Sequence, residues 1–141
     1  MRKLVVAGVA ACALGVAVGA ANAGEHVYKK KASVHDLMEY MVKPAMAKIK
    51  AYREAGGPSE KEEWQTAFGA ITMVAEASQL VLMDGRVKDA AWSEGANKVI
   101  TASQDAMMGA YRMDADGYQN GLKAMSAGCK TCHDVHKKDK D

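Results

Sequence analysis

The sequence has 141 residues, with 19 Lys and Arg against 17 Asp and Glu and a formal net charge of +2. This length suits one domain with a single modest core. So small a charge gives no electrostatic footing for nucleic acid or a bulk anionic membrane. No paired carboxylates, nucleophile triad or phosphate loop marks an enzyme.

Residues 1–23 read as a cleaved secretory signal peptide. Arg2 and Lys3 form its charged start, an apolar run extends from Leu4 to about Ala20, and Ala21-Asn22-Ala23 supplies an A-x-A cleavage site. The run is Ala/Gly-rich and short of the roughly 20 strongly apolar residues that a spanning helix needs, so stable membrane insertion is not expected. Val9-Ala10-Ala11-Cys12 loosely fits a lipid-attachment box, which makes Cys12 an alternative processing site. Cleavage after Ala23 leaves one domain, 24–141. Losing Arg2 and Lys3 takes the 19 basic side chains to 17, level with the 17 acidic ones. Of the three cysteines, Cys129 and Cys132 remain.

Residues 24–32 carry Lys29, Lys30 and Lys31 and no apolar period, so they read as a solvated approach. Ser33 and Asp36 make a capping box. The apolar residues then fall at Leu37, Met38, Met41, Val42, Ala45, Met46, Ile49 and Tyr52, which predicts a helix over about 34–54 with a kink at Pro44. Gly56, Gly57 and Pro58 break it. Ser59 and Glu62 open a second helix, with Trp64, Ala67, Phe68, Ile71, Val74, Ala75, Ser78, Val81 and Leu82 inward, ending at Asp84-Gly85. Asp89 caps a third, whose inner residues are Trp92, Ala96, Val99, Ile100, Ser103, Ala106, Met107, Ala110 and Tyr111 and which Gly95 and Gly109 weaken. After a turn at 114–117, a fourth helix carries Tyr118, Leu122, Met125, Cys129, Cys132, His133 and His136 inward. With no strand pattern, no internal repeat and short connections, the expected fold is all-α, an antiparallel up-down-up-down four-helix bundle.

The last helix contains Cys129-Lys130-Thr131-Cys132-His133, the C-x-x-C-H pattern of c-type haem attachment. Positions i, i+3 and i+4 share a helix face, so two thiols and an imidazole can meet one flat macrocycle, with His133 on the iron. The sixth iron position then decides the function. In an up-down-up-down bundle the start of the first helix lies beside the end of the fourth, and Met38 stands at about the height of His133. Met41 would lie about 4.5 Å deeper and Met46 about 12 Å deeper. Met38 is the best-placed sixth ligand, with simple packing against the haem, or ligation by His35, as alternatives. His136 reads as a pocket wall. Lys137, Lys138 and Lys140 suit the helix dipole, or join Lys29 to Lys31 in a basic collar that docks an acidic redox partner. A zinc module built from Cys129, Cys132, His133 and His136 is a further alternative, although two consecutive helical turns wrap one ion poorly.

With its leader, four helices and terminal C-x-x-C-H, the sequence resembles the class II cytochromes c, the cytochrome c′ family, and most its low-spin Met-ligated members. Cys129 and Cys132 match the thioether cysteines, His133 the axial histidine, and Leu37-Met38 the leucine-methionine pair near the start of the first helix. Where members often carry an aromatic residue and then Arg after the haem histidine, His136 and Lys137 stand here. The resemblance implies one covalent haem c, a periplasmic location, frequent homodimers and single-electron transfer rather than catalysis. High-spin members imply the alternative, a five-coordinate haem that binds nitric oxide or carbon monoxide.

Overall fold

The computed structural model describes residues 29–83 and 85–137. The expected leader with Cys12, and also Asp84, Lys138 and Lys140, lie outside the described residues. Within them the chain is all-helical: α1 (Val34–Leu37), a π-helical turn (Met38–Val42), α2 (Lys43–Glu54), α3 (Lys61–Leu80), α4 (Ala90–Arg112) and α5 (Ala115–His136). Since α1, the π turn and α2 are continuous, four helices pack together. No described helix is long and apolar enough to cross a membrane.

Local chemistry explains most boundaries. The Asp36 amide donates to Ser33 Oγ at 3.1 Å while Asp36 Oδ2 accepts from the Ser33 amide at 2.8 Å, which closes the expected capping box. After α2, the Gly57 amide donates to the Tyr52 carbonyl and the Gly56 amide to that of Arg53. This Schellman closure needs Gly56, whose φ is +89°. At α3 the capping acid is Glu63, not Glu62: its carboxylate accepts from the amides of Ser59 and Glu60, and Glu60 is the cap residue. α3 also stops at Leu80, five residues before Gly85 of the expected stop. Asp89 caps α4 as expected, accepting from the Trp92 amide at 2.9 Å. The α4–α5 turn is tighter than expected: Asp114 caps α5, and Gly117 lies inside the helix.

The core has two parts. The larger joins Ile49, Trp64, Ile71, Val74, Val99, Tyr118, Leu122 and Met125 with many alanines, and Cys129 packs against it. The smaller gathers Leu37, Val81, Trp92 and Ala96, from the start of the first helical run, the end of α3 and the start of α4. Met38, Met41 and Cys132 pack against this second cluster.

Glycines set the contact between α4 and α5. A Cβ on Gly95 would stand 2.8 Å from Cys132 Cβ, and one on Gly128 2.8 Å from the Val99 nitrogen. One on Gly121 would meet Ala106, and one on Gly109 the Tyr118 amide. The pairs run in opposite chain order, so α4 and α5 are antiparallel with their backbones nearly touching. Gly95 and Gly109 are therefore seats for the neighbouring helix rather than weak points. The approach also turns the buried arc of α4 toward α5, so Tyr111 lies outside, at 75% exposure, instead of inward. On α3, Phe68 is likewise exposed, because the buried arc centres on Ala67, Ala70, Ile71 and Val74.

Two predictions concern stability. Gly69 lies in α3 with nothing within 4 Å of an added Cβ, whereas Gly121 faces the Ala106 backbone. Urea unfolding should show Gly69→Ala stabilising by about 1 kcal/mol, and Gly121→Ala destabilising by about 1–3 kcal/mol. The second concerns Tyr118, which is fully buried against Trp64, its hydroxyl without a hydrogen-bond partner among the described residues. Burial pushes its pKa up to about 12 from 10.0. The unfolded chain therefore ionises first, so the protein's stability is untouched by this phenol's titration below pH 10 and falls as the pH rises toward 12. Tyr118→Phe should gain about 1 kcal/mol at neutral pH and lose less stability across that alkaline window.

Candidate cofactor site

Cys129 and Cys132 are free thiols one helical turn apart on α5, both partly buried. They straddle the two parts of the core, Cys129 against the larger and Cys132 against the smaller. At about 100° per residue, Cys132 and His136 fall near the middle of the α5 face buried through Tyr118, Gly121, Met125 and Gly128, and Cys129 lies close by. His133 falls on the flank of that face and is exposed, not inward as expected. Its ring makes no hydrogen bond to a described residue.

The fourth expected donor, Met38, lies across the small cluster. It is half-buried beside fully buried Leu37, and it and Cys132 pack against the same group of side chains, Leu37, Val81, Trp92 and Ala96. The fold thus brings Met38 to the end of the bundle that holds the C-x-x-C-H segment. Met41 reaches the same cluster, while Met46 belongs to the larger one. His35 is exposed on the outward side of α1 and does not join the cluster.

Trp92 organises the surroundings. Its indole N–H donates to the Val81 carbonyl at 2.9 Å, tying the start of α4 to the end of α3. His136 stands edge-on to its ring at 5.2 Å, with Nε2 3.1 Å from Asp89 Oδ1. His136 is thus held between Trp92 and Asp89, and Asp89 has two jobs, capping α4 and holding the last turn of α5. Lys30 donates to the Gly85 carbonyl at 3.2 Å, Lys88 lies over Trp92 at 5.3 Å, and Lys29, Lys31 and Lys137 are exposed.

Electrostatics keep the donors neutral. Burial raises the Cys129 thiol pKa, and burial with the Asp89 carboxylate raises that of Cys132. Partial desolvation on the side facing the bundle, helped by Lys137, lowers the pKa of His133 even though the residue is exposed, favouring the unprotonated imidazole that a metal ion needs. Among the described residues no three His, Cys, Asp or Glu side chains converge as a metal ion would require.

Three features of this site do not stand out in a helical reading of the sequence: the contact of Gly95 with Cys132, the second role of Asp89, and the π turn beneath Met38. A signal for the first exists. Gly95, Ala102 and Gly109 recur every seven residues on α4, as do Gly121 and Gly128 on α5, which is the spacing of a close helix seam.

The chain matches no family model, no curated protein and no solved structure.

The thiols offer a direct check in the haem-free protein. Both should alkylate with iodoacetamide more slowly at pH 8 than a free cysteine, because less thiolate is present. Removing the negative charge in Asp89→Asn should lower the Cys132 pKa and speed its alkylation several-fold, with a smaller change at Cys129. Peptide mass spectrometry over time resolves the two sites.

Proposed function

We propose that this chain is an exported c-type electron carrier, an up-down-up-down four-helix bundle holding one haem c. Cys129 and Cys132 would bind it by thioether bonds, and His133 and Met38 would be the axial ligands. The observation that carries this reading is the convergence of Met38 and Cys132 on one small cluster at the end of the bundle where His133 presents an imidazole with no hydrogen-bond partner among the described residues. The donor set fits the group. It comprises two reduced thiols one turn apart, a neutral ring on the next residue and a thioether from the opposite end of the sequence. The resemblance to the low-spin class II cytochromes c points the same way.

When bound, the haem supplies a one-electron couple. The chain's own residues do the remaining work. The thiols anchor, His133 and Met38 donate without carrying charge, and Trp92 with Leu37 and Val81 keeps water from the inner side of the motif. Lys29, Lys31 and Lys137 are exposed near this end and suit approach by an acidic redox partner, most strongly at low ionic strength. A periplasmic location follows from the expected leader. A homodimer is compatible with this reading and is not required by it.

A second reading, a five-coordinate haem binding nitric oxide or carbon monoxide, draws on one observation: Leu37, not Met38, is the fully buried member of the pair. The absorption spectrum of the haem-loaded protein separates the two. We expect a low-spin reduced spectrum with a sharp α band, unchanged by carbon monoxide. In Met38→Ala we expect a carbon monoxide adduct. An adduct in the wild type at ordinary gas concentration would sink the electron-carrier reading in favour of the second.

A further inference from the structure

The π turn at Met38–Val42 has a cause in the sequence. Pro44 has no N–H for the Tyr40 carbonyl, and in an unbroken α-helix its ring would press on that oxygen. The chain instead closes a wider turn, in which the Lys43 amide donates to the Met38 carbonyl five residues back. A π turn holds one residue more than an α turn, so residues before it are out of phase with α2 by about 100°.

Burial records the shift. Stepping back from Ala45 and Ile49, the buried residues of α2, by helical intervals of three and four reaches Val42, Met41 and Met38. In a straight helix Met38 would take the core position. In the structure Leu37 takes it, at 4% exposure, and Met38 stands beside it, half-buried against the cluster it shares with Cys132. The additional residue emerges on the outside as Tyr40, 75% exposed.

We propose that Pro44 is a positioning residue for Met38. By enforcing the π turn it gives the core seat to Leu37 and turns the Met38 thioether sideways, into the orientation from which it ligates iron. This rests on the axial role of Met38 proposed above. The sequence distance of six residues between the two is the device: Pro44 is exposed on α2 and acts through helix phase.

The test uses the haem-loaded protein and reads the thioether-to-ferric-iron charge-transfer band and carbon monoxide affinity, with circular dichroism to follow helix content. Pro44→Ala removes the obstacle, and alanine is the better helix former by about 3 kcal/mol, so the variant folds. A straightened helix should carry Met38 into the core, abolish the band and raise carbon monoxide affinity at least tenfold. In the triple variant Pro44→Ala, Met38→Leu, Glu39→Met, the leucine-methionine pair moves one residue on, to the positions a straight helix places in the same two directions. The band should return there.

A band retained in Pro44→Ala, or lost in both Pro44→Ala and the triple variant with helix content intact, overturns the positioning role. If Met38→Ala opens the site in the same series, the electron-carrier reading stands without it. If Met38→Ala stays low-spin, Met38 is not the ligand and both proposals fall together.

Discussion

At four positions the backbones of α4 and α5 approach more closely than any side chain would permit, and the candidate site takes its shape from that contact. With glycine at 95, 109, 121 and 128 the two helices meet along nearly their whole length. Such contact exchanges helix propensity, about 1 kcal/mol per glycine, for dense backbone packing. It also fixes the height and rotation of α5, and with them the direction of every residue from Cys129 to His136. The Gly95–Cys132 contact makes the motif part of the seam, so the thiols are set by main-chain geometry rather than by adaptable side chains.

The second cluster builds on this frame. Asp89 and Trp92 sit in the first turn of α4, and each reaches two elements: Asp89 the cap and His136, Trp92 the Val81 carbonyl and the edge of the His136 ring. The last turn of α5, where a helix ordinarily frays, is therefore held by a carboxylate and an aromatic ring. His133, three positions earlier, gains a firm support from that arrangement.

Much of this was legible in the sequence because it depends on local chemistry. The Ser33–Asp36 capping box, the glycine-rich break at 56 and 57, the apolar periods of four helices and the spacing of Cys129, Cys132 and His133 all follow from neighbours within a few residues, whereas at the second helix the sequence offered two adjacent acids and the structure uses Glu63. Phe68 and Tyr111 were misplaced because an apolar residue adjoining a stripe looks like part of it. Only the partner helix decides which arc is buried, and α5 draws α4 round by its glycines. The flank position of His133 has the same origin, since i and i+4 differ by about 40° and the buried arc of α5 is centred on the other side. The π turn lay beyond a helical count because Pro44 was readable as a disturbance, but whether the chain bends or widens in response is settled by what must be buried before it.

Arg86 bears on how the chain assembles. Its guanidinium, buried in the loop between α3 and α4, donates to the Leu80 carbonyl at 2.7 Å and to the Ala32 carbonyl at 2.6 Å. The second contact joins residues 54 apart in sequence, whereas the α4–α5 seam starts from neighbours across a two-residue turn. Closing the longer loop costs more chain entropy, so α4 and α5 can pair before the first helical run is fastened at its entry. The Arg86–Ala32 contact fixes the approach to Leu37 and Met38, which pack on the same small cluster as Cys132. Arg86 is thus a clamp between the start of the chain's described part and its middle, holding the entry of the first helical run against the α3–α4 loop.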